Sequence, residues 1–203
     1  MTRPAILPPA LLYAVAYLLA SGWDLWTTML ALRAGAGVHE GNVFTLADVG
    51  YSLGRAGAIT LMGGLAQLAL FVFGVRNVTR IAPLWLDRPL ASFRRPYLNP
   101  WSRRHIDRSP LHALSYALAF ISLRLLAAGN NWILAEGGTG PLGLLVTWAT
   151  RLTTPLIGFA LSMGGLYLLL ALALSPLAAG LARWLMNDPA LPSVPLPRAR
   201  NAG

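Results

Sequence analysis

Residues 9–31 read Pro-Ala-Leu-Leu-Tyr-Ala-Val-Ala-Tyr-Leu-Leu-Ala-Ser-Gly-Trp-Asp-Leu-Trp-Thr-Thr-Met-Leu-Ala. A single ionisable group, Asp24, interrupts this stretch. A helix crossing a bilayer needs about 20 mostly apolar residues. Three further windows meet that length: about 56–75, 110–129 and 155–174, the last extending to 185 if the helix continues past Pro176. Each is expected to be helical, because lipid offers no partner to an open backbone amide. The first window also resembles a secretory leader, with Ala20-Ser21-Gly22 as a conceivable cleavage site. Its length and Asp24 favour a retained span.

Composition agrees. Of 203 residues, 56% are apolar and 11% charged, against roughly 25% charged in an average soluble domain. The mean hydropathy is +0.57. The bases are sixteen arginines with no lysine, and seven acids leave a net charge of +9. No cysteine is present, which excludes disulfides, thiolate metal sites and cysteine nucleophiles. The expected fold class is therefore all-α: a polytopic integral membrane protein with four transmembrane helices as two similar hairpins. One domain spans 1–186, with a basic loop at 76–109, and a Pro-rich tail follows at 187–203.

The two hairpins read as a parallel duplication at an offset near 101 residues. Pro9 and Pro110 open the first helix of each half. Met62-Gly63-Gly64-Leu65 matches Met163-Gly164-Gly165-Leu166. A short amphipathic stretch precedes each second span, at about 44–54 and 142–152. Small residues at a spacing of four (Ala56, Thr60 and Gly64; Ala160 and Gly164) permit close helix contact. Packing within the chain is the preferred reading for both sets.

Arginine placement orients the chain. Twelve arginines fall in the two tails and the 76–109 connection, and three (Arg33, Arg55, Arg151) fall on the opposite side. Both termini are thus expected in the cytoplasm. Arg124 is the remaining one, inside the third span. It stands 14 residues past Pro110, and Asp24 stands 15 past Pro9. At 1.5 Å per residue both lie roughly 21–23 Å into parallel helices. Isolated charges there are costly, so an Asp24–Arg124 pair is expected, either fixing helix register or forming a functional site. Thr28 shares the face of Asp24. Gly129-Asn130-Asn131 and Glu136-Gly137-Gly138 read as ordinary solvated turns, in preference to the alternative that they help line an outward-facing polar cavity with Asp24 and Thr28.

Asp24-x-x-x-Thr28, followed after eleven residues by Glu40-x-Asn42, resembles the first-hairpin signature of the DUF5658 group of small bacterial membrane proteins. That signature has an intramembrane Asp, a Thr one turn on, and Glu-x-Asn-Pro after the first helix. Position 43 is Val here. The resemblance covers about residues 20–43. It implies that Asp24, Thr28, Glu40 and Asn42 belong to one constellation. It carries no activity over, and it fits a bacterial cytoplasmic (inner) membrane. With His39 and Arg124 these residues make the candidate intramembrane polar or ligand site.

Other chemistry is weaker. Gly50-Tyr51-Ser52-Leu53-Gly54 matches a nucleophile-elbow pattern, but the motif needs a strand feeding a helix. The expected context is instead an interfacial helix capped by Thr45 and Asp48. His39 lies on the opposite side from His105 and His112, so the three histidines cannot converge on a metal. No cofactor and no metal are expected. His112 reads as a helix-entry residue at headgroup depth. In the 76–109 connection, Arg88, Arg94, Arg95, Trp101, Arg103 and Arg104 are candidates for lipid-headgroup or partner contact. Its prolines predict short helical pieces along a surface, and nucleic acid is not an expected partner. The leading functional expectation is a non-enzymatic accessory or scaffold subunit of a larger membrane assembly, partnered by lipids and by other membrane subunits or itself. The alternatives are a small carrier or ligand-binding protein centred on Asp24 and Arg124, and an intramembrane hydrolase using Ser52.

Overall fold

The computed structural model describes residues 6–34, 46–47, 50–94 and 105–187. The elements are α1 (Leu7–Arg33), β1 (Leu46–Ala47), β2 (Gly50–Tyr51), α2 (Leu53–Arg76), a 3-10 turn at Val78–Arg80, α3 (Pro83–Asp87), α4 (Pro89–Ser92), α5 (Ser109–Ala135), α6 (Pro141–Leu152), α7 (Pro155–Ala173) and α8 (Ser175–Asn187). The architecture is all-α apart from a two-residue antiparallel ladder between β1 and β2. Prolines open α1, α3, α4, α5, α6 and α7. The first helical turn has no use for the missing N–H, and the fixed φ already suits a helix.

Three helices are long and apolar enough to cross a membrane: α2, α5 and the Leu156–Ala173 part of α7. The first window of the sequence, now α1, is a 27-residue helix but is not among them. Ser21, Asp24, Thr27 and Thr28 dilute its apolar character. One other boundary differs from expectation: the third helix continues through Asn130 and Asn131 to Ala135. The fourth helix matches its window of about 155–174, ending at Ala173, and the conditional extension to 185 is absent because α8 restarts at Ser175. Pro176 supplies the break, because it cannot donate the hydrogen bond that a continuous helix needs there.

Side-chain contacts give the helix directions. On α1 and α5, Tyr13 donates to the Ala117 carbonyl (3.0 Å), and Asn131 donates to Thr28 Oγ1 (2.8 Å). Both numberings rise together, so α1 and α5 are parallel. Helix α2 runs against them. Tyr17 donates to the Thr60 carbonyl (2.5 Å), while Tyr13, one turn earlier, stacks on Phe71 at 4.5 Å. On α7, Tyr167 meets Tyr116 of α5, whereas Phe159 and Met163 lie near Arg124, so these two helices are also antiparallel. Helix α5 is the hub and touches α1, α2, α6, α7 and α8.

The duplication is visible only in part. Helix α6 occupies the second amphipathic stretch, but its counterpart near 44–54 contributes the short ladder and not an interfacial helix. Thr45 and Asp48 lie outside the described residues. Ala56, Thr60 and Gly64 are buried, with Gly64 directly beneath the Tyr17 ring. Ala160 and Gly164 face outward, which corrects the expectation that both small-residue sets pack internally.

The described parts of the basic connection, 76–94 and 105–109, fold as short pieces, as Pro83 and Pro89 predict, and close one end of the molecule. Trp85 Nε1 donates to Asp107 Oδ2 (2.8 Å), and Arg108 donates to the Ser92 carbonyl (3.1 Å). The Ser92 hydroxyl donates to the Pro89 carbonyl (2.6 Å), so it must accept from His112 Nε2 (2.9 Å), which fixes the proton on that nitrogen. His112, in the first turn of α5, is 3% exposed and stacked on Phe93. Helix α8 packs on α3 and α4. Val75, Val78, Ile81, Leu86, Leu111, Leu114, Ala178, Ala182 and Leu185 form the dense core here.

A methyl group at position 64 would overlap Tyr17, whereas one at position 164 meets nothing within 4 Å. Gly64→Ala is predicted to destabilise the protein by about 1–3 kcal/mol. Gly164→Ala should be neutral or slightly stabilising, because alanine is the better helix former. Thermal unfolding in mild detergent checks both.

Candidate functional site

The buried face of α1 is written in its sequence: Tyr13, Tyr17, Ala20, Ser21, Asp24, Thr27 and Ala31. Steps of three and four place them along one stripe. The leucines Leu11, Leu12, Leu18 and Leu19 point outward. Small, aromatic and polar residues pack inside and leucines face out, the arrangement expected where the surroundings are as apolar as leucine itself.

Asp24 on that stripe meets Arg124 of α5: Nη1 donates to Oδ2 at 2.8 Å. Asp24 is 6% exposed, and the Arg124 side chain is about one-fifth exposed. The expected ion pair therefore forms. It is singly bonded, and its neighbours extend it. Arg124 Nη2 lies 3.4 Å from Thr60 Oγ1 of α2. The guanidinium carbon sits 5.3 Å from the Phe120 ring centroid, a cation–π contact. Asn131 Nδ2 donates to Asp24 Oδ1 (3.3 Å) and to Thr28 Oγ1 (2.8 Å). Thr28 in turn donates to the Asp24 carbonyl (2.8 Å). Three helices thus converge on one polar knot.

The reading of Asn130 and Asn131 as turn residues is overturned. Asn131 lies seven positions after Arg124, two helical turns on, and so returns to the same face. Asn130 Oδ1 accepts from the Leu142 amide (2.9 Å) and ties the start of α6 to α5. The next segment is an ordinary helix end. Gly137, at φ +79°, donates to the Leu134 carbonyl, and Gly138 donates to that of Ile133. This is a Schellman cap.

Beside the knot lies a cavity of about 510 Å³. Asp24, Thr28, Thr60, Arg124, Asn130 and Asn131 supply its polar lining. Leu123, Leu134, Val146, Phe159 and Met163 are among its apolar walls. A concave, mainly apolar site with a few converging polar groups is the usual form of a small-molecule site.

Of the other candidate residues, His39, Glu40, Asn42, Arg95, Trp101, Arg103 and Arg104 lie outside the described residues. Arg88 and Arg94 are exposed, at the margins of α4. Ser52 caps α2 and accepts from the Arg55 amide (3.3 Å). A two-residue strand does precede it, where none was expected, but it belongs to a ladder of only two strands. Among the described residues no three His, Asp or Glu side chains cluster to hold a metal. Thr60, Phe120, Asn130 and Asn131 were not assigned to the site from sequence. Their common signal is helical phase relative to Arg124.

No protein-family model, curated protein or solved structure matches the chain.

Removing one member of a buried ion pair leaves the other uncompensated, at a cost of about 3 kcal/mol. Asp24→Asn and Arg124→Gln should each lose about that much stability, and the double variant less than their sum. Denaturation of all four proteins in the same detergent tests this; strictly additive losses would show that the two charges do not depend on each other.

Proposed function

We propose that this chain is a membrane protein of four spans, with α1 the fourth, and that it binds a small molecule in the cavity beside Asp24 and Arg124. Support for α1 as a span comes from its partner. It lies parallel to α5 from Tyr13 to Thr28, so a bilayer crossed by α5 encloses α1 as well. The arginine asymmetry then places both termini and the 76–109 connection on the cytoplasmic side. The resemblance of residues 20–43 to a bacterial family fits the cytoplasmic membrane as its location.

The observation that carries the ligand-binding reading is a cavity of about 510 Å³ with an ion pair in its wall. A pair serving only to fix register gains from close packing on every side. Here one side is open. The walls are helices whose phases are held by other contacts, so the site is formed in advance of binding. A second reading, as a subunit of a larger assembly, is favoured by the outward-facing Ala160 and Gly164 on α7, a small-residue face suited to another helix. The two roles are compatible.

Two experiments test the proposal. The natural chain lacks cysteine, so single cysteines report topology directly. Thr2→Cys and Arg88→Cys should react with a membrane-impermeant maleimide only after permeabilisation, and Thr139→Cys in intact cells. Labelling of Thr2→Cys and Arg88→Cys from opposite sides would remove α1 as a span. For binding, Gly143 lines the cavity and has open space where a side chain would go. Protein purified in mild detergent should retain a small molecule detectable by mass spectrometry after organic extraction, and Gly143→Phe should lose at least nine-tenths of it. Equal retention by both would reject the cavity as the site.

A further inference from the structure

We propose that the occupant of this cavity is an uncharged single-chain amphipath, such as a long-chain alcohol or monoacylglycerol, which enters sideways from the bilayer between α2 and α7. This rests on the ligand-binding reading above and specifies its chemistry.

The route follows from how α2 and α7 meet. At one end they are joined by Tyr167, which donates to Gln67 Oε1 (3.2 Å). Further along, Ala56 and Ile59 of α2 and Phe159 and Met163 of α7 both border the cavity, with α5 behind it. Ile59, Phe159 and Met163 are only half-buried. The helices flanking this slot carry exposed leucines: Leu61 and Leu65 on α2, Leu161 and Leu168 on α7. Their surroundings are therefore hydrocarbon, and what the slot admits is a molecule dissolved in hydrocarbon. Its walls suit a tail, and its inner end suits a head.

The head is set by charge balance. Asp24 and Arg124 already neutralise each other. A third net charge in this apolar setting would stay uncompensated, which is expensive. The pair still has hydrogen-bonding capacity. Asp24 takes one bond on each carboxylate oxygen, from Arg124 and Asn131. Arg124 uses Nη1 on Asp24 and reaches Thr60 only at 3.4 Å, so among the described residues several of its N–H groups have no acceptor. A carboxylate edge beside guanidinium donors matches a head that both donates and accepts while carrying no charge. A hydroxyl group does this.

The test uses three radiolabelled dodecyl compounds with one tail and different heads: monododecanoylglycerol, dodecyl phosphate and dodecyltrimethylammonium. Each is titrated into the protein in nanodiscs, with glycerol as the water-soluble control. The uncharged compound should bind at least tenfold tighter than either charged one, and glycerol should not compete measurably. Asp24→Asn leaves an unpaired guanidinium and should shift the preference at least tenfold toward the phosphate. Arg124→Gln leaves an unpaired carboxylate and should shift it toward the ammonium. A purely structural pair would weaken all three compounds alike. Should either variant fail to fold, the ranking on the natural chain decides alone, with Gly143→Phe as the blocked control. Binding of none of the dodecyl compounds overturns the chemistry proposed here, while equal small-molecule retention by the natural chain and Gly143→Phe overturns the ligand-binding reading itself. Equal or tighter binding of a charged head, or effective competition by glycerol, overturns only the chemistry and route proposed here.

Discussion

An acidic and a basic side chain are held together among apolar helices. Asp24 and Arg124 meet at 2.8 Å, and each would be costly alone. Their pairing constrains α1 and α5 in three ways at once. The helices must be parallel, at matched depth, and rotated so that the two residues face each other. The Tyr13 bond to Ala117 and the Asn131 bond to Thr28 fall into the same register on either side. Thr60 brings α2 to the same point. Between helices whose outer surfaces are equally soluble in lipid, such polar contacts and close packing decide the arrangement.

The packing divides the molecule into unlike ends. Where α3, α4 and α8 gather, large apolar side chains fill the interior, and the buried polar groups Ser92, Arg108 and His112 satisfy one another. At the other end, α6 bridges from α5 to α7, and a cavity of about 510 Å³ remains beneath it. A solid end supports a hollow one. Asn130 is the fastener, since its carboxamide oxygen holds the first turn of α6. A helix fixed by its start leaves the rest of its length to form a wall.

On the proposed reading, electrostatic neutrality limits what the hollow end can accept. A site with one unpaired charge would recruit the opposite charge. A site whose charges cancel, but whose donors and acceptors are not exhausted, selects for hydrogen bonding without charge. In that proposal the apolar lining from α2 and α7 adds a tail to the requirement.

The amino-acid sequence alone determined the helical class, helices apolar enough to cross a membrane and the existence of a charge pair. These are properties of composition and of distance along one helix. Eleven per cent charged residues cannot cover a water-soluble surface, and a charge some 20 Å inside an apolar helix demands a partner whichever fold encloses it. Pro83 and Pro89 likewise dictated short helical pieces. What only the tertiary structure decided depends on the rotation of each helix about its own axis. Asn130 and Asn131 looked like turn residues until α5 was seen to carry them past Arg124 and back onto the same face. The glycine-rich repeat at 62–65 and 163–166 looked equivalent, yet Gly64 lies under Tyr17 while Gly164 faces outward. A cavity has no residues of its own. It exists because five helices approach without quite filling the space between them, and no single segment of the chain records that distance.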